Sequence, residues 1–438
     1  MIAIPFIYFL FLSIRLTMKT KKIEIGAVIA LLYSIMGFFS ILMVQKGEIR
    51  PVIANSVTII PTIVYCFLLT MVMIPFLKYP SSLILDIKPI RNEKFLITLS
   101  WVAIIWFILT VFFSFSHFRS ILSGDMLQLR TEIYKGQFEN NWFSSVPVPL
   151  RVLMVPLSFI FGCPWVLIFL GFFTRYIQKL PSKYSVFFII ASLSGPWGAI
   201  LAVDRSAVTY WIIAFAMIFL LFSKYMSKVE TRKMGILMIV LVSLLGLYLL
   251  INTVSRFAGG DFNDMSESNS SVISYLGQSF PNFCYFFENF ECDWKTLGLI
   301  FPFTNKYLFG GITGGVPIQE QVEKLTPFTV GVFYTFMGQI LISAGRLIMV
   351  LYCIIHTVIS SKLISPCRHK RVTCLTAYYY ILMSSVLFLG LFVHYYSSPT
   401  LTTSVIFNIF LIRYMEKSTG KSTSKAHHRE KVLLNNRI

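Results

Sequence analysis

Charged residues are scarce in this chain of 438 residues. Asp, Glu, Lys and Arg make up 13% of it, about half of the roughly 25% that soluble domains carry. Hydrophobic residues reach 56%, and apolar runs of about 20 residues, long enough to cross a bilayer as a helix, recur from end to end. The composition excludes an ordinary soluble enzyme and predicts a polytopic membrane protein.

Motifs for nucleotides and metals are also missing. The sequence has no Gly-x-x-x-x-Gly-Lys loop and no dinucleotide fingerprint, so we expect no built-in ATPase. Its external Asp, Glu and His residues show no metal-ligand spacing, so we expect neither a metal site nor a cofactor. No repeat of 20–50 residues is visible, which argues against a transporter built from internal repeats.

Cysteine is rare, with seven residues in the whole chain. Most of them fall inside apolar runs, where a free cysteine behaves as a small hydrophobic residue. Cys284 and Cys292 share a loop that we place outside the cytoplasm, where a disulfide is permitted. Their spacing matches no metal or redox motif, and the sequence leaves open whether they are bonded.

Basic residues outnumber acidic ones and are unevenly distributed. The connections that alternate along the chain, together with the C-terminal tail, hold 26 of the 38 Lys and Arg residues but only 6 of the 19 acidic ones. The positive-inside rule places this face in the cytoplasm, with the C-terminus inside and the N-terminus outside. The excess of 19 positive charges is therefore a topology signal, and we expect no nucleic-acid partner.

The predicted fold class is all-α, a polytopic transmembrane helix bundle of about 11 spans, with 10–12 allowed. We expect one integral-membrane domain over 1–416 and a disordered, basic cytoplasmic tail over 417–438. The predicted spans are 2–14, 25–44, 52–77, 95–116, 150–173, 184–203, 206–223, 234–251, about 340–361, 374–396 and 399–412.

Two substantial external loops are predicted, over 117–149 and 252–330. In the second loop, apolar residues recur every three or four positions from Val272 to Phe290, which predicts a helix with one apolar face. Because Pro281 and Pro302 break this segment, we expect interfacial helices that lie in the plane of the membrane surface. Two interpretations stay open: a groove beside a lipid-linked substrate, or a helix that only packs on the bundle.

Ionisable residues at the outer ends of spans are the candidate site residues, because burying them is costly unless they are paired or used. Asp204 and Arg205 interrupt an apolar stretch, so the chain turns outside the membrane there. Arg205 is either a fixed cation for an anionic substrate, ideally a diphosphate, or half of a local ion pair. Arg256 either shares that role or snorkels to the headgroups. Arg130 is a weaker candidate for the same role.

Several groups are candidate proton acceptors for a hydroxyl substrate. His394 lies at the outer end of a late span, and a lone histidine there is either a base or a structural residue. Further candidates are His117, at the outer end of the fourth span, and the external carboxylates of Asp204, Glu132, Asp261, Asp264 and Glu288. The sequence alone does not choose among them.

Three stretches of the chain carry a family resemblance. VDRSAVTYWIIAF places an arginine at the outer start of a span. TVSRFAGGDF opens the large loop with an arginine, and the aromatic stretch SYLGQSFPNFCYFFENF follows it. TFMGQILISAGRLIMVLY leads into a late span. With short basic inner loops and two large outer loops, this layout resembles the Wzy-type O-antigen polymerases, which join oligosaccharide repeat units in bacterial envelopes.

The resemblance implies a metal-independent membrane glycosyltransferase in the bacterial inner membrane. It would polymerise undecaprenyl-diphosphate-linked repeat units into O-antigen or capsular polysaccharide at the periplasmic face. A hydroxyl of one unit would attack the anomeric carbon of the growing chain and expel undecaprenyl diphosphate. A flippase and a chain-length regulator would be partners, besides the lipid-linked oligosaccharides and the bilayer.

The resemblance also gives roles to the candidate residues. Catalytic roles would fall to Arg205, Arg256, Asp204 and His394, with the two arginines holding the diphosphate. Substrate-binding roles would fall to Arg130, Glu132, Tyr275, Phe283 and Glu288, the aromatic rings facing the apolar sides of sugars. The alternatives are an O-antigen ligase, a flippase or transporter for lipid-linked oligosaccharides, and a polyprenyl-phosphate-sugar transferase.

Overall fold

The computed structural model describes most of the helical parts of the chain. The described residues are 1–123, 146–201, 206–237, 272–289, 334–369, 371–392, 394 and 399–417, with isolated positions between 239 and 247. Nearly all of them are helical. The prediction of an all-α fold is confirmed for these ranges.

The helices are numbered here in chain order. They are α1 (Ile4–Thr20), α2 (Ile25–Gln45), α3 (Pro51–Asn55), α4 (Ile59–Lys78), α5 (Glu93–Ser123), α6 (Val148–Phe161), α7 (Pro164–Tyr176), α8 (Ser182–Ala191), α9 (Ser194–Leu201), α10 (Ser206–Phe222), α11 (Val272–Gly277), α12 (Ser279–Asn289), α13 (Thr335–Ile364), α14 (Cys374–Phe388) and α15 (Pro399–Lys417). Residues 228–237 are also helical. Two short strands, β1 (Asp86–Ile87) and β2 (Arg371–Val372), pair in parallel.

Six apolar segments of the described ranges are long enough to cross a membrane, with α8 and α9 counted together as one segment. The helices α6 and α7 are bent by 71° relative to each other, and the count is seven if this pair is one span. This supports a protein that crosses a membrane several times. The count of eleven spans and the large external loop stay predictions.

The helix α7 lies in the interior of the bundle, because its residues from Pro164 to Thr174 are all buried. A helix that is apolar all round belongs in the interior.

A cluster of polar contacts ties several helices together at one end of the bundle, called here the basic end. The buried carboxylate of Glu24 accepts hydrogen bonds from the Ser81 hydroxyl (2.7 Å) and the Ser82 N–H (3.1 Å). The Lys224 ammonium donates to the Ser81 carbonyl oxygen (2.9 Å). Buried polar groups need such partners, so these bonds hold the adjoining ends of α2, α4 and α10 at one level. The far end is called the opposite end.

Candidate functional site

The short helix α11 enters the bundle from the opposite end, beside α2. Near its start, the Ser274 hydroxyl donates to the Glu48 carboxylate (2.6 Å), just beyond the end of α2. At its finish, the Gly277 carbonyl oxygen accepts from the Ser40 hydroxyl (2.6 Å), which lies within α2. The contacts thus pass from the end of α2 toward its middle. The chain therefore runs into the bundle over these residues.

The helix α12 brings the chain back out along α4. Near its start, Phe280 and Phe283 pack on Tyr65, with ring centroids 5.0 and 5.2 Å apart. At its end, the Glu288 carboxylate accepts from the Thr58 hydroxyl (2.6 Å), immediately before α4. The seven residues from Thr58 to Tyr65 correspond to about 10 Å of helix. The two helices therefore form a hairpin seated against α2 and α4, called here the re-entrant hairpin. That helices of this loop lie in the plane of the membrane surface stays a prediction.

Several polar side chains of this hairpin are buried. Ser274, Gln278 and Asn282 are buried and recur every four residues, and the Asn282 amide donates to Gln278 Oε1 at 3.4 Å. Polar side chains at this depth must be satisfied inside the protein. Cys284 is buried and its thiol is free in this structure, and Cys292 lies outside the described residues.

The helix α13 is broken near the end of the hairpin. All residues from Thr335 to Ala344 are buried, and Gly345 then adopts φ +81° and ψ 174°, a conformation that favours glycine. Beyond the break, Arg346 Nε donates to the Phe287 carbonyl oxygen (2.8 Å), and the guanidinium lies 5.1 Å from the centre of the Phe287 ring. A cation at a helix C-terminus is stabilising, so Arg346 fixes the outgoing end of the hairpin.

The helix α14 ends inside the bundle, before the end of the predicted span 374–396. It stops at Phe388, and non-helical backbone follows. The N–H groups of Tyr334 and Thr335 donate to the Phe392 carbonyl oxygen (3.1 and 2.9 Å), and the Phe336 N–H donates to Gly390 (2.9 Å). Irregular backbone at membrane depth is tolerated where the protein supplies such partners. Contacts with a distant segment therefore replace the last helical turns.

The predicted base His394 lies in this irregular segment and is buried. Its backbone N–H donates to Gln339 Oε1 (2.6 Å), and its Nε2 shares a hydrogen bond of 2.9 Å with the Tyr352 hydroxyl. One turn along α13, the His356 ring stacks near Tyr352 at 6.2 Å. These four residues, Gln339, Tyr352, His356 and His394, are called here the His394 cluster. Ionisable groups inside a membrane bundle generally mark functional positions.

The cluster is near the re-entrant hairpin. Tyr352 is six residues beyond Arg346, or about 9 Å along the helix. The ring of Phe286 in α12 contacts Tyr334 at 5.6 Å, just before α13. Two breaks in the helical structure therefore meet in the half of the bundle away from the basic end. A histidine held this way can accept or donate a proton.

The structure places only some of the predicted site residues. Outside the described residues lie Arg130, Glu132, Asp204, Arg205 and Arg256. The ends of the two helices that flank 202–205 are described, and Leu201 packs against Ile121 near the end of α5. The ring of Trp197 contacts Phe118 at 4.9 Å. Leu201, the last described residue before Asp204 and Arg205, therefore lies beside the end of α5.

The remaining predicted residues lie in the hairpin. Tyr275 is in α11. Phe283 is buried against Tyr65, and Glu288 is exposed and bonded to Thr58. The prediction that Phe283 faces a sugar ring is not tested by this packing.

Four residues of the candidate site were not predicted from the sequence: Gln339, Tyr352, His356 and Arg346. A signal was present, because Gln339 and Ser343, and then Tyr352, His356 and Ser360, each recur every four residues within an apolar run. That spacing places polar groups on one side of a helix. Among the described residues, no group of three His, Cys, Asp or Glu side chains is placed to hold a metal ion.

Comparisons with known proteins add no assignment. No family model, no curated protein and no solved structure matches this chain.

Proposed function

We propose that this protein polymerises undecaprenyl-diphosphate-linked oligosaccharide repeat units at the outer face of the bacterial inner membrane. The observation that carries the proposal is the position of the His394 cluster, in the half of the bundle away from the basic end. The charge asymmetry of the connections supports the same orientation, because the positive-inside rule assigns the basic end to the cytoplasm. The sequence resemblance supplies the reaction.

In this proposal His394 takes the proton of the attacking sugar hydroxyl. That hydroxyl then forms a bond to the anomeric carbon of the growing chain, and the bond from that carbon to undecaprenyl diphosphate breaks. The leaving diphosphate gains negative charge, which Arg205 and Arg256, assisted by Arg130, would stabilise. Gln339 and Tyr352 hold the histidine in one orientation, and fixed geometry lowers the entropic barrier.

A transporter for the same lipid-linked oligosaccharide is the second candidate. Its support is the set of helix breaks, at the α11–α12 hairpin, at Gly345 and at the end of α14. Discontinuous helices around a polar site are common in secondary transporters. The two candidates predict different products in cells.

The test is deletion of the gene, followed by analysis of the surface glycan. The polymerase proposal predicts that single repeat units still reach the surface and that long polymer is lost. Failure of single units to reach the outer face would favour the transporter, and accumulation of unattached polymer would favour a ligase.

A single substitution tests the site. Arg205→Ala should abolish polymer while the protein level holds, because a buried developing charge would lose its cation. Arg151→Ala is the matched control, since Arg151 donates to the Val146 carbonyl oxygen (3.0 Å) and has no role in the proposal. Polymer of full length from Arg205→Ala would remove Arg205 from the site.

A further inference from the structure

Polar side chains follow one side of α13 beyond the hydrogen bond that holds His394. Tyr352, His356 and Ser360 are spaced by four residues, so they lie on the same side of the helix. The rings of Tyr352 and His356 are 6.2 Å apart, and His356 Nδ1 lies 3.4 Å from the Ser360 hydroxyl. His356 and Ser360 are buried. The proposed reaction gives neither of these two residues a role.

Tyr380 continues this line on the neighbouring helix α14. The His356 ring interacts with the backbone of Met383, and Tyr380 lies three residues, or about 4.5 Å of helix, nearer the start of α14. The side chain of Tyr380 is completely buried. It is close enough to the Glu24 carboxylate and the Cys367 thiol to interact with both electrostatically. The line therefore leads from the His394 cluster to the buried carboxylate at the basic end.

Two polar atoms on this line are not satisfied by the described protein. His356 Nε2 and the Tyr380 hydroxyl are buried and make no well-formed hydrogen bond within the described ranges. A buried polar group without such a partner costs stability, and ordered water commonly satisfies it. At position 380 a phenylalanine would fill the same space without this cost. Chains of such ionisable groups inside a membrane bundle are typical of proton relays.

We propose that the titratable groups on this line form a path for protons through the bundle. In order toward the basic end, they are His394, Tyr352, His356, Tyr380 and Glu24. A proton held by His394 leaves from Nε2 to the Tyr352 oxygen as the Tyr352 proton moves on to His356. It then passes by way of Tyr380 to the Glu24 carboxylate, which releases it at the basic end.

Water molecules bridge the distances on this path that are longer than one hydrogen bond. One proton crosses in each passage, and no bond between heavier atoms forms or breaks. The path goes beyond the proposed function, because it needs no sugar substrate. In the proposed reaction it gives the proton that His394 accepts from the sugar hydroxyl an exit.

The experiment measures proton flux through the purified full-length protein in liposomes, without any substrate. A potassium gradient and valinomycin set the membrane potential, and a pH-sensitive dye inside the vesicles records the protons that enter. The test variants are His356→Gln and Tyr380→Phe. The matched control is Tyr378→Phe, because Tyr378 is equally buried on α14 and its ring packs instead on Phe169 of α7 at 5.7 Å.

We expect the wild type to carry protons faster than empty liposomes do. Each test variant should lose this flux, and Tyr378→Phe should keep it. Tyr380→Phe should melt at the temperature of the wild type or above it, because it removes an unsatisfied hydroxyl. Loss of flux without loss of stability distinguishes a proton path from a purely structural role.

Four results would overturn the inference. They are a wild-type flux no greater than that of empty liposomes, wild-type flux in either test variant, an equal loss in Tyr378→Phe, and a loss of flux in Tyr380→Phe that is accompanied by a lower melting temperature. Because no substrate is present, none of these results bears on the polymerase proposal. Failure of that proposal in the gene-deletion test would likewise leave the flux measurement unaffected.

Discussion

Replacement of Gly277 by alanine tests whether the re-entrant hairpin is seated against α2. A Cβ atom at this position would lie 2.5 Å from the Phe39 carbonyl oxygen and 2.9 Å from the Ser40 N atom. Both atoms belong to the backbone of α2, which cannot turn aside as a flexible side chain could. The same contact carries the 2.6 Å hydrogen bond from the Ser40 hydroxyl to the Gly277 carbonyl oxygen.

The expected loss follows from these two contacts. Overpacking of a tight interior costs about 1–3 kcal/mol, and loss of one hydrogen bond costs about 0.5–1.5 kcal/mol. Gly277→Ala should therefore lower the free energy of unfolding by about 2–4 kcal/mol. This loss occurs although alanine is the better helix former.

The assay is denaturation of the purified protein in detergent, with Gly198→Ala as the matched control. A Cβ atom at Gly198 would have no neighbour within 4 Å, so that variant should be as stable as the wild type or slightly more stable. Equal stability of the Gly277→Ala variant and the wild type would refute the seating of the hairpin on α2.

Two further predictions concern α13. Tyr352→Phe should strongly reduce polymer formation, because it removes the hydroxyl that is hydrogen-bonded to His394 at 2.9 Å. The control Tyr8→Phe removes an exposed hydrogen bond and should leave polymer formation unchanged. Equal amounts of polymer from both variants on glycan gels would contradict the role of Tyr352. Gly345→Ala should destabilise the protein by about 1–3 kcal/mol, because φ +81° with ψ 174° is a conformation essentially restricted to glycine. Gly235→Ala, with open space around it, should not destabilise the protein. Equal melting temperatures of the two variants would contradict this prediction.

Helices were predictable from the sequence wherever a long apolar run is also a straight helix. The predicted spans 25–44 and 95–116 correspond to α2 (Ile25–Gln45) and α5 (Glu93–Ser123). In these segments the apolar surroundings, either lipid or the protein core, are sufficient to favour a continuous helix. Local composition is then sufficient.

The breaks could not be predicted in the same way. The turn of the hairpin depends on the contact between Ser40 and Gly277, which are 237 positions apart in the chain. The early end of α14 depends on hydrogen bonds from Tyr334 and Thr335 to Phe392. Composition within a single window contains no information on such long-range partners.

The candidate site was predictable only in part. His394 stood out because a histidine near the end of a span is unusual. Its partner Gln339 is one amide in an apolar run, and only the folded chain brings it to the backbone of His394. The spacing of polar residues along α13 was the local signal for Tyr352. This spacing does not identify His394 as the hydrogen-bond partner of Tyr352.

The most direct test of the central claim is a reaction of the purified protein with defined lipid-linked repeat units. In liposomes with the units on the outer-face side, the account predicts a ladder of glycans that lengthens by whole repeats, with stoichiometric release of undecaprenyl diphosphate. Units that stay single, or that cross the bilayer without joining, would contradict it.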